Sequence, residues 1–126
     1  MSDSVTLTFV AAMRNVGLAR TVAAAMSARA DLPMDQLEDV RLAVDEAVTQ
    51  LILDAPPGAQ VQCAFDINGD ELNVSVSAPS LSGKPPARDT FSWTVLTALV
   101  DHVHATVDSG SVTLGLHITR HIPVGA

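Results

Sequence analysis

The stretch RLAVDEAVTQLILDA, residues 41–55, carries polar side chains that could do chemistry in the middle of an apolar, helix-like sequence. Glu46 and Gln50 are four residues apart, so they lie on one face of a helix, one turn above the other. A carboxylate can accept a proton, and an amide oxygen can accept hydrogen bonds or bind a cation. The two side chains therefore point either toward a shared cavity or into solvent, as the polar flank of an amphipathic helix.

The other faces of this helix predict where the core lies. An apolar stripe should pack against a sheet, and its members are Val44, Val48, Leu51 and Ala55. Leu42 and Leu53 lie away from that stripe. We expect them to fill a second packing layer or to face a collapsed cavity.

The pattern along the chain predicts the elements that position this helix. Alternation in residues 5–11 predicts a strand. Residues 14–30 predict an alanine-rich helix with one buried stripe, formed by Val16, Ala19, Ala23, Met26 and Ala30. The second helix should begin at Asp35, with Glu38 completing a capping box, and end near Asp54 before APPGA.

The second half of the chain predicts the sheet. Strands over 60–67 and 71–78 flank the hairpin sequence NGD, and residues 79–89 predict a proline-rich loop. A third helix is expected over 91–103, with Trp93 in the core at its start. The closing sequence SGSVTLGLHITRHI predicts a strand, with a turn at 109–110 and a shorter strand before it as an option. The order predicts an α+β two-layer sandwich, in which three helices cover a mixed, mostly antiparallel sheet, as one domain over 1–126.

Composition and charge exclude several classes of function. The net charge of −7 and the absence of any basic cluster argue against direct binding of nucleic acid. No apolar run approaches the roughly 18 residues of a membrane span, and no signal peptide is recognised, so we expect a cytoplasmic protein without a membrane partner. Cys63 lies in an apolar strand and should be a buried, inert thiol. The four histidines, His102, His104, His117 and His121, have no convincing metal spacing, and no resident metal is expected.

The chain resembles a known family across nearly its whole length. LTFVAAMRNVGLARTVAAAMSA and LPMDQLEDVRLAVDEAVTQLILDA carry the similarity most specifically, and it continues through VLTALVDHV and LHITRHI. These stretches are similar to the bacterial anti-sigma factors of the RsbW and SpoIIAB type, in a divergent actinobacterial branch. The family consists of small serine kinases with the GHKL, or Bergerat, ATPase fold of the histidine kinases.

The resemblance implies a role in transcription regulation during stress responses. A family member holds a sigma factor inactive and phosphorylates a STAS-type anti-anti-sigma protein that competes for it. Homodimerisation is implied as well, and the first helix contributes to both the partner-binding and the dimer surfaces of the family. An arginine of the first helix engages the sigma factor in the family, and Arg20 matches it, with Arg14 as a second candidate. A solvent-facing helix charge is the alternative for Arg20.

The resemblance also assigns roles to the polar pair of the second helix. Glu46 matches the family's general base. Gln50 stands where an asparagine holds the magnesium ion of Mg-ATP, and its extra methylene departs from that pattern.

The later nucleotide-binding motifs depart further. Ala78 stands in place of the aspartate that accepts the adenine amino group, and Ser80 and Ser82 stand in place of two glycines. A later glycine pair falls at Thr90 and Ser92, beside the bulky Phe91 and Trp93. The loop that should form the ATP lid is short.

These departures predict an anti-sigma factor whose nucleotide site is degenerate, so that ATP and magnesium are possible but uncertain cofactors. Two alternatives stay open: an active serine kinase with an unusual adenine pocket, and a STAS-binding or purely scaffolding relative that has lost the sigma factor.

Overall fold

The computed structural model describes residues 2–121. Within that range the chain forms five strands and three α-helices. In chain order they are β1 (Ser2–Val10), α1 (Val16–Arg29), α2 (Met34–Leu53), β2 (Gln60–Asn68), β3 (Glu71–Pro79), α3 (Phe91–Leu99), β4 (His102–Asp108) and β5 (Ser111–Thr119). A short 3-10 helix, Met13–Asn15, precedes α1.

The described strands form one sheet in the order β1-β2-β3-β5-β4. Each neighbouring pair is antiparallel, so the parallel pairing of a mixed sheet does not occur among these strands. Two of the four pairs are tight hairpins, one at Gly69 between β2 and β3 and one at Ser109–Gly110 between β4 and β5. Both glycines have positive φ angles, 63° and 83°, which a residue without Cβ adopts easily.

The core lies between one face of the sheet and the helices, which confirms the predicted α+β sandwich. Strands β2 and β3 alternate buried and accessible side chains, and Val61, Cys63, Phe65 and Val74 point toward the helices. The predicted stripe of α1 is buried, and so are Val44, Val48 and Leu51 of α2, whereas Ala55 is only partly buried.

The predicted start of α2 was wrong. The helix begins at Met34 and its N-cap is Pro33, with no capping hydrogen bond from a side chain. The fixed φ of proline suits the start of a helix without a capping side chain. Asp35 instead accepts a hydrogen bond from the backbone N–H of Gln36, and Glu38 pairs with Arg41 at 2.8 Å. The capping box therefore does not form.

The predicted third helix was too long. α3 ends at Leu99 because Val100 already has an extended backbone, with φ −132° and ψ 166°. Val103 then lies opposite Leu116 in the β4–β5 ladder, so tertiary pairing overrides the helical reading of residues 100–103. The optional shorter strand before the Ser109–Gly110 turn is confirmed as β4.

Leu42 and Leu53 are both exposed on the outer side of α2, so the expectation of a second packing layer was wrong. No described helix combines the length and apolar character that a membrane span requires.

Candidate functional site

The polar side chains of α2 divide between its two flanks. Asp45 faces α1, where its Oδ2 lies 2.7 Å from Nη1 of Arg20. Glu46 and Gln50 share the other flank, and Nε2 of Gln50 lies 3.4 Å from Oε1 of Glu46. The helix is thus polar in its middle for two separate reasons: an ion pair between helices, and a carboxylate–amide pair next to the loop after β3.

Gln50 lines a small cavity beneath that loop. The cavity has a volume of about 170 Å³, and its walls are Gln50, Leu51, Asp54, Ser82, Lys84, Pro85, Pro86 and Val112. Glu46, one turn earlier on α2, is half-buried but does not line it. This volume lies below the roughly 300–1,000 Å³ that small-molecule sites usually enclose.

The loop after β3 is tied to the end of α2 through one carboxylate. Both hydroxyls of Ser80 and Ser82 donate to Oδ2 of Asp54, the second at 2.7 Å, and the backbone N–H of Ser82 donates to Oδ1 at 3.2 Å. The backbone N–H of Leu81 donates to the carbonyl oxygen of Asp54 at 2.7 Å. We call Asp54, Ser80 and Ser82 the Asp54 latch.

Electrostatics agree with this geometry. Hydrogen bonds from the hydroxyl of Ser80, then from the hydroxyl and the backbone N–H of Ser82, hold the pKa of the Asp54 carboxyl below its usual range. Asp54 is the C-cap residue of α2, and its carboxylate lies where the helix dipole disfavours negative charge. The latch therefore compensates an otherwise unfavourable position.

Sequence reasoning missed Asp54 as a site residue and treated Ser80 and Ser82 only as absent glycines. A signal was present. A carboxylate at a helix C-terminus, followed later by two hydroxyls in the spacing Ser-x-Ser, could have indicated an anchor for the loop.

Ala78 lies inside the core near the end of β3. It is 3% exposed and lies opposite Val112 in the β3–β5 ladder. Its methyl group cannot accept a hydrogen bond, and Ala78 does not line the cavity beneath the loop.

The start of α3 is built for packing. The hydroxyl of Thr90 caps the helix by accepting from the backbone N–H of Trp93 at 3.2 Å. Trp93 is buried, as expected, and the guanidinium of Arg88 lies 5.4 Å from the centre of its ring. Phe91 is 83% exposed. Bulky and capping residues thus form the start of α3.

The first helix begins with an exposed, partly apolar surface. Met13 and Leu18 are 53% and 54% exposed, and Val10 before them is also exposed. Arg14 is exposed among them and, within residues 2–121, forms no ion pair. Arg20 lies two residues after Leu18 on α1, and its side chain is 42% exposed. We call Val10, Met13, Arg14, Leu18 and Arg20 the α1 surface.

Cys63 is fully buried in β2, and burial raises the pKa of its thiol to about 12. The thiol is therefore an inert core group, as the sequence predicted. In the described part of the chain, no group of three or more His, Cys, Asp or Glu side chains is placed to hold a metal ion.

Comparisons with known proteins agree on one family. Residues 9–116 match the model of the histidine kinase-like ATPase domain. Over 100 residues the chain is 41% identical to the anti-sigma-F factor RsbW of two Mycobacterium tuberculosis strains. The aligned residues make up 79% of this chain and 60% of the relative. It is 26% identical to an anti-sigma F factor of Clostridium beijerinckii over 131 residues, 90% of this chain and 92% of the relative.

The fold is similar to that of a solved structure. A crystal structure of RsbU and RsbW domains from Mycobacterium tuberculosis matches with a TM-score of 0.73 at 16% identity, over 96% of this chain and 35% of that chain. At this identity the likeness shows the fold.

Proposed function

This chain belongs to the histidine kinase-like ATPase domain family, and from that premise we propose that it is an anti-sigma factor that works by binding. In this proposal it occludes an RNA polymerase sigma factor and releases it when a STAS-type anti-anti-sigma protein competes. The similarity to proteins named anti-sigma factors, at 41% and 26% identity, is the observation that carries the proposal.

The α1 surface is the proposed contact for the sigma factor. Exposed apolar side chains next to arginines are typical of protein interfaces, where arginine and methionine are enriched. The ion pair with Asp45 holds Arg20 in a fixed position on α1, and the side chain of Arg20 stays partly exposed. An arginine placed in advance loses less conformational entropy when it pairs with a partner's carboxylate.

The nucleotide site is proposed to be inactive. The latched loop leaves a cavity of about 170 Å³, and buried Ala78 supplies no acceptor for adenine. Glu46 and Gln50 keep the spacing of a general base and a magnesium ligand, but only Gln50 lines the cavity. We therefore propose inhibition by occupancy, in which neither ATP nor magnesium is required.

The test is a binding panel. Each sigma factor of the source organism is immobilised and titrated with the chain by surface plasmon resonance. We expect one of them to bind with a dissociation constant in the micromolar range or tighter, and the matching STAS protein to release it. No binding to any member of the panel would refute the anti-sigma role. Binding without release would refute the role of the STAS protein only.

We also propose a homodimer, since the family that this chain resembles is dimeric. Analytical ultracentrifugation tests this directly, and a monomer at all accessible concentrations would contradict it.

A further inference from the structure

The face of the sheet that points away from the helices carries a cluster of ionisable side chains on three neighbouring strands. Its members are Glu71 and Asn73 of β3, His117 of β5 and His102 of β4. The residues next to them in β3 and β5 are buried, so these side chains lie on the open face. In the strand ladders His117 lies directly opposite both Asn73 and His102. The sheet therefore gathers groups that are far apart in the chain.

His117 is held in one tautomer. Its Nδ1 lies 2.5 Å from Oδ1 of Asn73. A carboxamide oxygen only accepts hydrogen bonds, so Nδ1 carries the proton, and the lone pair of the neutral ring is on Nε2. Histidines that bind metal ions are usually fixed in this way, by donating the second ring N–H to an oxygen atom. Asn73 thus prepares Nε2 of His117 as a ligand.

This nitrogen faces a carboxylate. Nε2 of His117 lies 3.6 Å from Oε1 of Glu71. Two acceptors that face each other need a cation between them, which is either a proton on Nε2 or a metal ion. Two ligand atoms at about 2.0–2.1 Å from a tetrahedral zinc ion are roughly 3.3 Å apart. His117 and Glu71 therefore lie close to the separation of two zinc ligands.

His102 supplies the third donor. Its ring stacks on that of His117 with the ring centroids 6.0 Å apart. Two imidazoles bound to one tetrahedral zinc ion have centroids about 5 Å apart by the same geometry. In their present positions no three such donors converge among residues 2–121. His102 is exposed, so a change of rotamer can bring its ring to the other two ligands.

His104 lies two residues further along β4, opposite Gly115 of β5. Its imidazole ring covers Gly115, and a Cβ on that glycine would collide with the ring. The missing side chain of Gly115 therefore seats His104 on the backbone of β5. This makes His104 a matched control, because it is a histidine of the same strand.

We propose that His102, His117 and Glu71 form an exchangeable zinc site on the open face of the sheet, with water in the remaining position. Imidazole ligands favour zinc over magnesium and calcium, which prefer oxygen ligands. The ligands are partly exposed and one must rotate, so we expect a dissociation constant on the order of 10–100 μM. The site lies across the sheet from Glu46 and Gln50, and it goes beyond the proposed function.

Calorimetric titration of the untagged chain with zinc chloride tests the site. We expect one ion per chain. His117→Ala and His102→Ala should each weaken binding by at least about tenfold, because each removes a ligand. Glu71→Gln keeps the size of the side chain but removes its charge, and should weaken binding by about three- to tenfold. His104→Ala should bind as the wild type does, and circular dichroism checks the fold of each variant.

Nitrogen NMR of the imidazole rings gives a second measurement. Zinc should shift the Nε2 resonance of His117, while Nδ1 stays protonated through its bond to Asn73. If only a proton bridges His117 and Glu71, zinc produces neither this shift nor heat, and the assignment is overturned.

Three results would overturn the zinc site: no zinc binding tighter than about 1 mM, undiminished binding by His117→Ala, or an equal loss in His104→Ala. Binding to the sigma factor is measured separately without zinc, so failure of this site and failure of the anti-sigma role are distinct results.

Discussion

Replacing Arg20 with alanine should separate the two roles available to this side chain, since it is both ion-paired and accessible. Its Nη1 lies 2.7 Å from Oδ2 of Asp45, and its side chain is 42% exposed. Ion pairs at such exposure contribute about 0.2–1 kcal/mol. Arg20→Ala should therefore lower the free energy of unfolding by less than about 1 kcal/mol, a shift of a few degrees in melting temperature.

The same truncation should cost more at the interface. Removing a desolvated arginine from the centre of a protein contact typically costs about 2 kcal/mol or more, roughly a thirtyfold loss in affinity. We expect Arg20→Ala to weaken binding of the sigma factor by at least about tenfold in surface plasmon resonance, with circular dichroism to confirm the fold.

Two variants make this result interpretable. Asp45→Ala keeps Arg20 and removes only its pre-positioning, so it should weaken binding by no more than about threefold, much less than Arg20→Ala. Arg29→Ala removes a matched arginine from the other end of α1, where it pairs with Asp3 at 3.0 Å, and should also bind normally. Equal losses for Arg20→Ala and Asp45→Ala would mean that Arg20 only positions the helix. Unchanged binding of Arg20→Ala would refute its partner role.

Three further predictions concern the latch, the nucleotide and the core. Asp54→Ala should speed hydrogen exchange at Ser82 and Gly83, with Asp89→Ala as the control on the same loop. Because the pKa of Asp54 is lowered in the folded state, the latch contributes stability above about pH 4, and this stability is lost as the pH falls through the folded pKa. Equal acid unfolding of the variant and the wild type would contradict this role of the latch. Mg-ATP should show no binding tighter than about 1 mM by calorimetry, and a dissociation constant of tens of micromolar would reverse the conclusion on the site. Leu51→Ala should cost about 2–5 kcal/mol in urea unfolding, and a cost under about 1 kcal/mol would show that the cavity beside it collapses.

Local periodicity was enough to predict most of the fold. The stripe of α1 repeats every three to four residues, and β2 and β3 alternate cleanly, so burial followed directly from residue type. Boundaries failed where two patterns competed. The run from Val100 to Val103 suits a helix by composition, and only its pairing with β5 decides for a strand.

The site was less predictable because its contacts join distant segments. Asp45 and Arg20 are 25 residues apart in the chain, and Asp54 and Ser80 are 26 apart. Spacing along one helix predicted that Glu46 and Gln50 share a face, but not that a loop would close over only one of them. The roles of Glu46, Gln50, Ala78, Arg14 and Arg20 remain predictions that the experiments above address.

The most direct test is a calorimetric titration of the chain with its sigma factor, performed once with Mg-ATP and once without. We predict the same dissociation constant in both, to within about twofold, because in our proposal the nucleotide site is inactive and no bound nucleotide alters the α1 surface. An affinity that rises tenfold or more with Mg-ATP, or binding that requires it, would contradict inhibition by occupancy alone.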